Sequence, residues 1–468
     1  MSKIETREIR RSLVAIFILM TFLAFLLRSA GTQSAPPDGT IVMKDVLVID
    51  GEGGPPLEHA AIVIKGDRIV SVGPVGQVSW PKSARVIDYR GKTVLPGLIS
   101  DHSHVGQVDG IGTAPQNYNR PNILRQLRQY EVYGVTTVTA LGLNNDLFYE
   151  LQPQLHAGSL PGADLFGADR GIGIPNGAPP TFNLPESQLY RVASPQQAVQ
   201  AIDEMATRKP DLIKIWIDDF HGSLRVKMPP EVYGAAIKEA HRLGLRVAAH
   251  IYYLSDAKSL VKSGIDIIAH GVRDQPVDAE FVGLMKTHSV WYIPTIDLDE
   301  SSYIYAEKPE WLKNQFLVHA LQPALADEFS DPGWRAKIVG NHKQVETSKA
   351  SVLTNESNLK ILYDAGVNIG FGTDSGAMAV RIPGFAEHRE LELLVDAGLT
   401  PLQAITLATA KAASLLHLDD RGVLEAGKLA DIIVVDGNPI AQISNVHKIE
   451  AVWHRGKLVS SRVQGFAP

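Results

Sequence analysis

The sequence predicts an α/β chain in which a (β/α)8 TIM-type barrel carries a small β-sandwich-like domain built from its N- and C-terminal segments. Three features predict it. Between residues 95 and 420, eight apolar strand candidates alternate with stretches of helical periodicity. Residues 40–94 and 421–468 read instead as short strands broken by Gly-rich turns. Histidine, lysine and aspartate recur at the C-terminal ends of the barrel strands, the face on which such barrels carry their chemistry.

Residues 1–39 come before any fold. Arg7, Arg10 and Arg11 precede the uncharged run Leu13–Leu27, LVAIFILMTFLAFLL. Fifteen residues suit the apolar core of a signal peptide better than a membrane span. Small residues in RSAGTQSA offer cleavage near Gly31 or Ala35, whereas Arg28 suits an uncleaved anchor. Both readings predict export, either to the periplasm or as a membrane tether on the outer side of the inner membrane. Arg10-Arg11 before Ser-Leu-Val also fits a twin-arginine signal.

The composition sets limits. The chain has 468 residues, 45% of them hydrophobic and 21% charged, enough for a large core. A net charge of −6 and the lack of a basic cluster beyond the N-terminus predict no nucleic-acid partner. With no cysteine, disulfides, a thiol nucleophile and thiolate metal ligands are excluded. Any metal must be held by His, carboxylates or something rarer.

The eight strands are expected in VLPGLISDHSH (94–104), Val135–Leu141, Ala163–Gly167, Leu212–Ile217, Val247–Tyr252, Ile265–Val272, Val290–Ile296 and Val367–Thr373. Helical patterns lie between most of them, at Pro230–Leu243, Ser255–Ser263, Ala279–Thr287 and His388–Ala397. The connection from Asp297 to Ala365 is too long for a plain loop and predicts extra helices or a lid.

His102 and His104 flank Ser103 at the end of the first strand, where residues i and i+2 face the same side and can share one metal ion. Lys214 interrupts Leu-Ile-Lys-Ile-Trp-Ile, and a charge in so apolar a strand is costly unless neutralised. Facing the barrel lumen, it would hold a neutral amine able to add CO2 and become a carbamate that bridges two cations. His250 ends RVAAHIYY, His270 ends IDIIAHGV, and Asp374 ends NIGFGTDSG. Tyr252, two residues past His250, is expected to hydrogen-bond the scissile carbonyl. Arg273 is a candidate for a substrate carboxylate and His388 for a further pocket contact. His156, His241, His288, His342, His417, His447 and His454 read as surface residues.

Taken together, VLPGLISDHSH, GVTTVTALG, LIKIW, VAAHIYY, IIAHGV, IGFGTDSG, ELELLVDAGLTPLQAITLATAKAASLL and GVLEAGKLADIIVVDGNP resemble the amidohydrolase superfamily, near its imidazolonepropionase-like and Xaa-Pro dipeptidase-like branch. The resemblance spans about Thr40 to Val459. It implies two divalent ions, commonly zinc, with His102, His104 and Asp374 on the more buried one. His250 and His270 would hold the other, and a carboxylated Lys214 would bridge them. It also implies a homo-oligomer and a small-molecule substrate. Three positions depart from the family pattern: Ser100 stands where it usually has Asp, Thr139-Ala140 where it has Arg-Asp, and Ala269 where it often has Glu.

The predicted function is hydrolysis of an amide, peptide or cyclic-amide C–N bond by a metal-activated hydroxide, with Asp374 as acid/base. The alternatives are a hydrolytic deaminase with a mononuclear site, which Lys214 argues against, and a non-catalytic barrel used as a binding protein.

Overall fold

A computed structural model of the chain describes residues 39–180 and 184–461; the apolar run Leu13–Leu27 and the expectation of export lie outside them. The fold is mixed α/β. Its two ends share one eight-stranded sheet. Thr40–Val48 pairs with Leu57–Lys65, Arg85–Asp88 and Lys92–Pro96, and the last of these pairs with Ile432–Asp436 near the other end of the chain. Ile449–His454 and Lys457–Ser461 complete that edge. The final hairpin turns through Arg455-Gly456, both in the left-handed region at φ 50° and 70°, as a two-residue turn of this twist requires. Met43, Val46, Ile62, Ile64, Val94, Ile432, Val434 and Trp453 bury one face of the sheet in a common cluster.

The middle of the chain runs parallel. Leu98–Ser103 pairs with Val135–Ala140, and that strand with Asp164–Gly167. A parallel bridge joins Ala168 to Leu212, beside the strand Ile213–Trp216. From there Val247–His250, Ile267–Ala269, Trp291–Ile293 and Asn368–Ile369 follow in register. Past Ile369 the chain returns to the first strand: Asp101 N donates to Phe371 O, Thr373 N donates to His102 O, and Ser103 bridges Ser375. Strands covered on both faces need near-continuous apolar runs, and Ile213–Trp216 and Val247–His250 are buried at every position.

Helices Pro230–Arg242, Leu254–Lys262, Ala279–Thr287 and Phe385–Asp396 fall where the periodicity predicts, within three residues at each end. The long connection holds a series of short helices followed by His342–Asp364. Two histidines depart from expectation: His447 keeps only 16% of its side-chain surface open and stacks on Phe316. His454 is buried, not at the surface, because its strand packs on the helix Arg120–Val132 and its Nδ1 lies 2.8 Å from Glu131 Oε1.

Candidate metal centre

The strand ends bring four imidazoles into a row. Ring centroids lie 5.8 Å apart for His104 and His102, 4.4 Å for His102 and His270, and 4.4 Å for His270 and His250. At one end Asp374 Oδ1 lies 3.2 Å from His102 Nε2 and 3.1 Å from His104 Nε2. Ligand atoms of His102, His270 and Asp374 all fall within 4.8 Å of one another. Lys214 is wholly buried, with its Nζ 5.4 Å from the centre of the Trp216 ring.

Burial dominates the electrostatics. It pushes His102 and His270 well below the usual imidazole range, aided by Lys214 at His102 and by His102 and His250 at His270. Burial also lowers Lys214 to about 7, against the opposing pull of Asp374 and Asp218. Asp374 goes the other way. Burial would raise it, but Arg381, His102 and His104 outweigh burial and hold it well below the usual carboxylate range. The outcome is neutral imidazoles at His102 and His270 beside an ionised carboxylate, the protonation states that metal ligation needs. His102 Nε2 and Lys214 Nζ are buried and make no hydrogen bond, a costly arrangement in a protein interior. A divalent cation would satisfy this donor set, and His and Asp are suitable ligands for it.

The backbone is shaped to the cluster. Asp374 and His270 adopt left-handed φ values of 61° and 117°, uncommon for residues with side chains and typical of functional sites. A Cβ on Gly372 would come within 2.6 Å of His102 N, so only glycine lets the two strands close here. Thr295 Oγ1 lies 2.9 Å from His270 Nδ1, which leaves Nε2 of that ring free for a ligand.

Glu387, not anticipated from the sequence, stands behind Asp374. Its Oε1 accepts from Ser100 Oγ at 3.2 Å, Thr373 Oγ1 at 2.6 Å and Ser375 Oγ at 2.6 Å. Ser100, which takes the place of the family's usual Asp, is thus tied to a carboxylate from another element. Asp218 was also missed. It lies two residues past the end of the Lys214 strand, and its Oδ1 lies 3.3 Å from His250 Nε2. Phe220 stacks on His250 at 4.5 Å and His221 stacks on Tyr252 at 3.8 Å; both Phe220 and His221 are left-handed. A polar pair at the end of IKIWIDDF was the only signal for this turn.

The expected substrate contacts fare unevenly. Tyr252 OH reaches Ser351 Oγ at 3.3 Å, while its ring stacks on His221. Arg273 is buried: Nη2 donates to Ile251 O at 3.1 Å and Nη1 lies 3.5 Å from Asp299. His388 is turned away from the row. Its Nε2 lies 2.7 Å from the Tyr133 carbonyl oxygen, with Phe316 at 4.9 Å between ring centres. Helical periodicity explains this. Glu387 and Glu390, three apart, face the strand ends, and His388 lies about 100° round the helix from Glu387. Arg381, also unanticipated, places Nη1 on Asp374 Oδ2.

A family model described as the amidohydrolase family matches residues 93–459. The chain is 24% identical over 461 residues to the ochratoxinase of Aspergillus niger, covering 88% of this chain and 85% of that one. It is 25% identical over 418 residues to a 5-methylthioadenosine/S-adenosylhomocysteine deaminase of Bacillus thuringiensis, covering 85% of each. Among solved structures, a Xaa-Pro dipeptidase with methionine bound in its active site superposes with a TM-score of 0.69 at 25% identity. That match covers 90% of this chain and 99% of the dipeptidase.

Proposed function

We propose, from the premise that the chain belongs to the amidohydrolase family, that it is a metal-dependent hydrolase cleaving an amide, peptide or cyclic-amide C–N bond. The observation that carries this reading is the buried row of four histidines, ended by Asp374 and accompanied by an unpartnered lysine. His102, His104 and Asp374 would hold one divalent ion, zinc first among the candidates, and His250 and His270 a second. Lys214 would help to hold them: as a neutral amine its Nζ could add CO2 with release of one proton, which would supply an anionic N6-carboxylate as a further ligand. Ions bound there supply a water acidic enough to ionise near neutral pH.

The chain's own groups do the rest. Asp374 has Oδ2 on the side away from His102 and His104; that oxygen takes the proton of the attacking water and returns it to the leaving nitrogen. Tyr252 OH donates to the carbonyl oxygen as negative charge develops on it. Arg273, already facing Asp299, steadies Tyr252 from 5.3 Å over its ring.

The ring of parallel contacts supports a closed (β/α)8 barrel, with the shared end sheet as its β-sandwich-like satellite. Export, as a periplasmic or membrane-tethered enzyme, rests on the sequence of residues 1–39, and homo-oligomerisation on the family.

A deaminase with a single ion is the second reading, favoured by the Bacillus relative. A buried lysine beside the histidine row has no role in such a site, so the two-ion reading comes first. Metal analysis of the purified chain, paired with a hydrolysis panel of dipeptides, N-acyl amino acids, lactams and lactones, tests the choice. Two ions per chain and C–N cleavage are expected. One ion, with ammonia released from an aminopurine nucleoside, would overturn it. Lys214→Ala should lose metal and nearly all turnover, and acetate should restore part of it. Full metal and full turnover in that variant refute this role.

A further inference from the structure

Seven residues after Asp374 the chain turns back on itself. Gly376 N donates to Arg381 O at 2.9 Å, Arg381 N donates to Met378 O at 3.0 Å, and Thr113 Oγ1 anchors the turn at Ala377 O. The turn therefore delivers the Arg381 guanidinium to the centre from a fixed backbone. Its Nη1 meets Asp374 Oδ2, the oxygen that faces away from His102 and His104. Its Nε is buried without a partner, yet the side chain keeps 16% of its surface open. Arg273 differs in each respect: its side chain is 1% exposed, and Asp299 and the Ile251 carbonyl already engage it.

A guanidinium on Asp374 Oδ2 competes with the proton transfer that this oxygen must perform. It is also a planar fork of five donors that is always charged, and it binds any carboxylate in two-point fashion. Exchanging the protein's carboxylate for one brought by the substrate frees Oδ2 and fills the unused donor at Nε. We propose that Arg381 determines specificity by binding a free carboxylate on the substrate next to the scissile C–N bond. The substrates would then be N-acyl amino acids or dipeptides, and uncharged amides would be poor. Arg273, the sequence's candidate for this role, would instead hold the wall behind Tyr252. This inference rests on the hydrolase reading given above.

The test uses the full chain loaded with zinc, as wild type, Arg381→Lys and Arg381→Met. Metal content and thermal unfolding first establish that each variant is loaded and folded. N-acetylmethionine and N-acetylphenylalanine are each assayed beside the matching carboxamide, which keeps the scissile bond and removes the charge. Wild type should prefer the acids in kcat/KM by about 10²-fold or more, as expected when a buried polar group loses its substrate partner. In Arg381→Met the ratio of kcat/KM for acid over carboxamide should fall towards unity, mainly through KM for the acids. Arg381→Lys should fall between, since a point charge cannot make the two-point contact.

Calorimetry of methionine against methioninamide gives a readout that needs no turnover. Methionine should bind wild type more tightly than its amide does, and Arg381→Met should abolish the difference. An acid preference unchanged in Arg381→Met, or equal handling of acid and amide by wild type, overturns the proposal. If no panel compound is cleaved by wild type, the hydrolase reading fails for this substrate class, and the calorimetry still decides the role of Arg381.

Discussion

The two ends of the histidine row are held in different ways. At the His102–His104 end, support comes from short side chains on paired strands. Ser103 Oγ donates to Ser100 Oγ at 2.8 Å, Tyr130 OH meets Ser375 Oγ at 2.6 Å, and Glu387 gathers three hydroxyls and the Gly384 amide. All these side chains are buried. At the His250 end, support comes from a turn folded back by two left-handed residues, which sets Asp218 beside His250 and Phe220 flat upon it. His221 in that turn is exposed. The first end is thus part of the core, and the second is built where a loop meets the core. A network anchored on several elements tolerates little movement, while a turn held by stacking can shift when a ligand arrives. The difference suggests that catalysis is fixed at the first end and adjusted to the substrate at the second.

The strongest way to break this comparison is at Asp374. Asn is nearly the same size but a poor base. Asp374→Asn should lower kcat by about 10²–10⁴, the usual worth of a positioned acid/base, while losing less metal than His102→Ala does. Measuring metal per chain beside kcat separates the two effects. A kcat within about threefold of wild type would show that the proton transfer lies elsewhere.

The comparison is sharpened by removing one supporting carboxylate from each end. Glu387→Gln and Asp218→Asn both keep the shape and remove the charge. Partners of metal ligands typically matter by about 10–100-fold in metal affinity or activity. Glu387→Gln should fall at the upper end of that range and should also lower the unfolding temperature, because Gln keeps one acceptor oxygen where Glu has two, so either the three hydroxyls or the Gly384 amide face an NH2 donor. Asp218→Asn should weaken metal retention at one of two sites and leave the unfolding temperature nearly unchanged. Competition with a chelator, monitored for the first and second ion released, distinguishes them. Equal losses from both variants would mean that the two ends are equally rigid.

The contrast also tracks what the sequence could reveal. Strand positions were legible because a buried parallel strand must be apolar, and each candidate ligand is a polar residue at the end of such a run, as in RVAAHIYY and NIGFGTDSG. Lys214 stood out for the same reason. Glu387, Asp218 and Arg381 were not legible. Glu387 sits among several acids of an amphipathic helix, FAEHRELELL, and nothing local says which one turns inward. Asp218 and Arg381 lie in turns whose direction is set by backbone conformation, not by any apolar pattern. Arg273 and His388 were picked for nearness in sequence to a ligand, and each is turned by its surroundings to a different partner.

His388 supplies the smallest expected effect and the clearest control. The neutral ring is fully buried; burial, with His447 nearby, pushes its pKa down to about 3. A neutral imidazole can donate through Nε2 to the Tyr133 carbonyl, and the distance of 2.7 Å fits such a bond. His388→Phe keeps an aromatic ring against Phe316 but removes one donor to that carbonyl, at a cost of about 0.5–1.5 kcal/mol. His388→Gln offers an amide donor and should recover part of the loss. Neither change reaches the imidazole row, so KM and kcat at a temperature where all forms are folded should stay within about twofold of wild type, as for a substitution that touches no substrate. Denaturant titration beside steady-state kinetics makes the comparison. A tenfold rise in KM with unchanged stability would return His388 to the substrate pocket and show that the helix Phe385–Asp396 rotates when substrate binds.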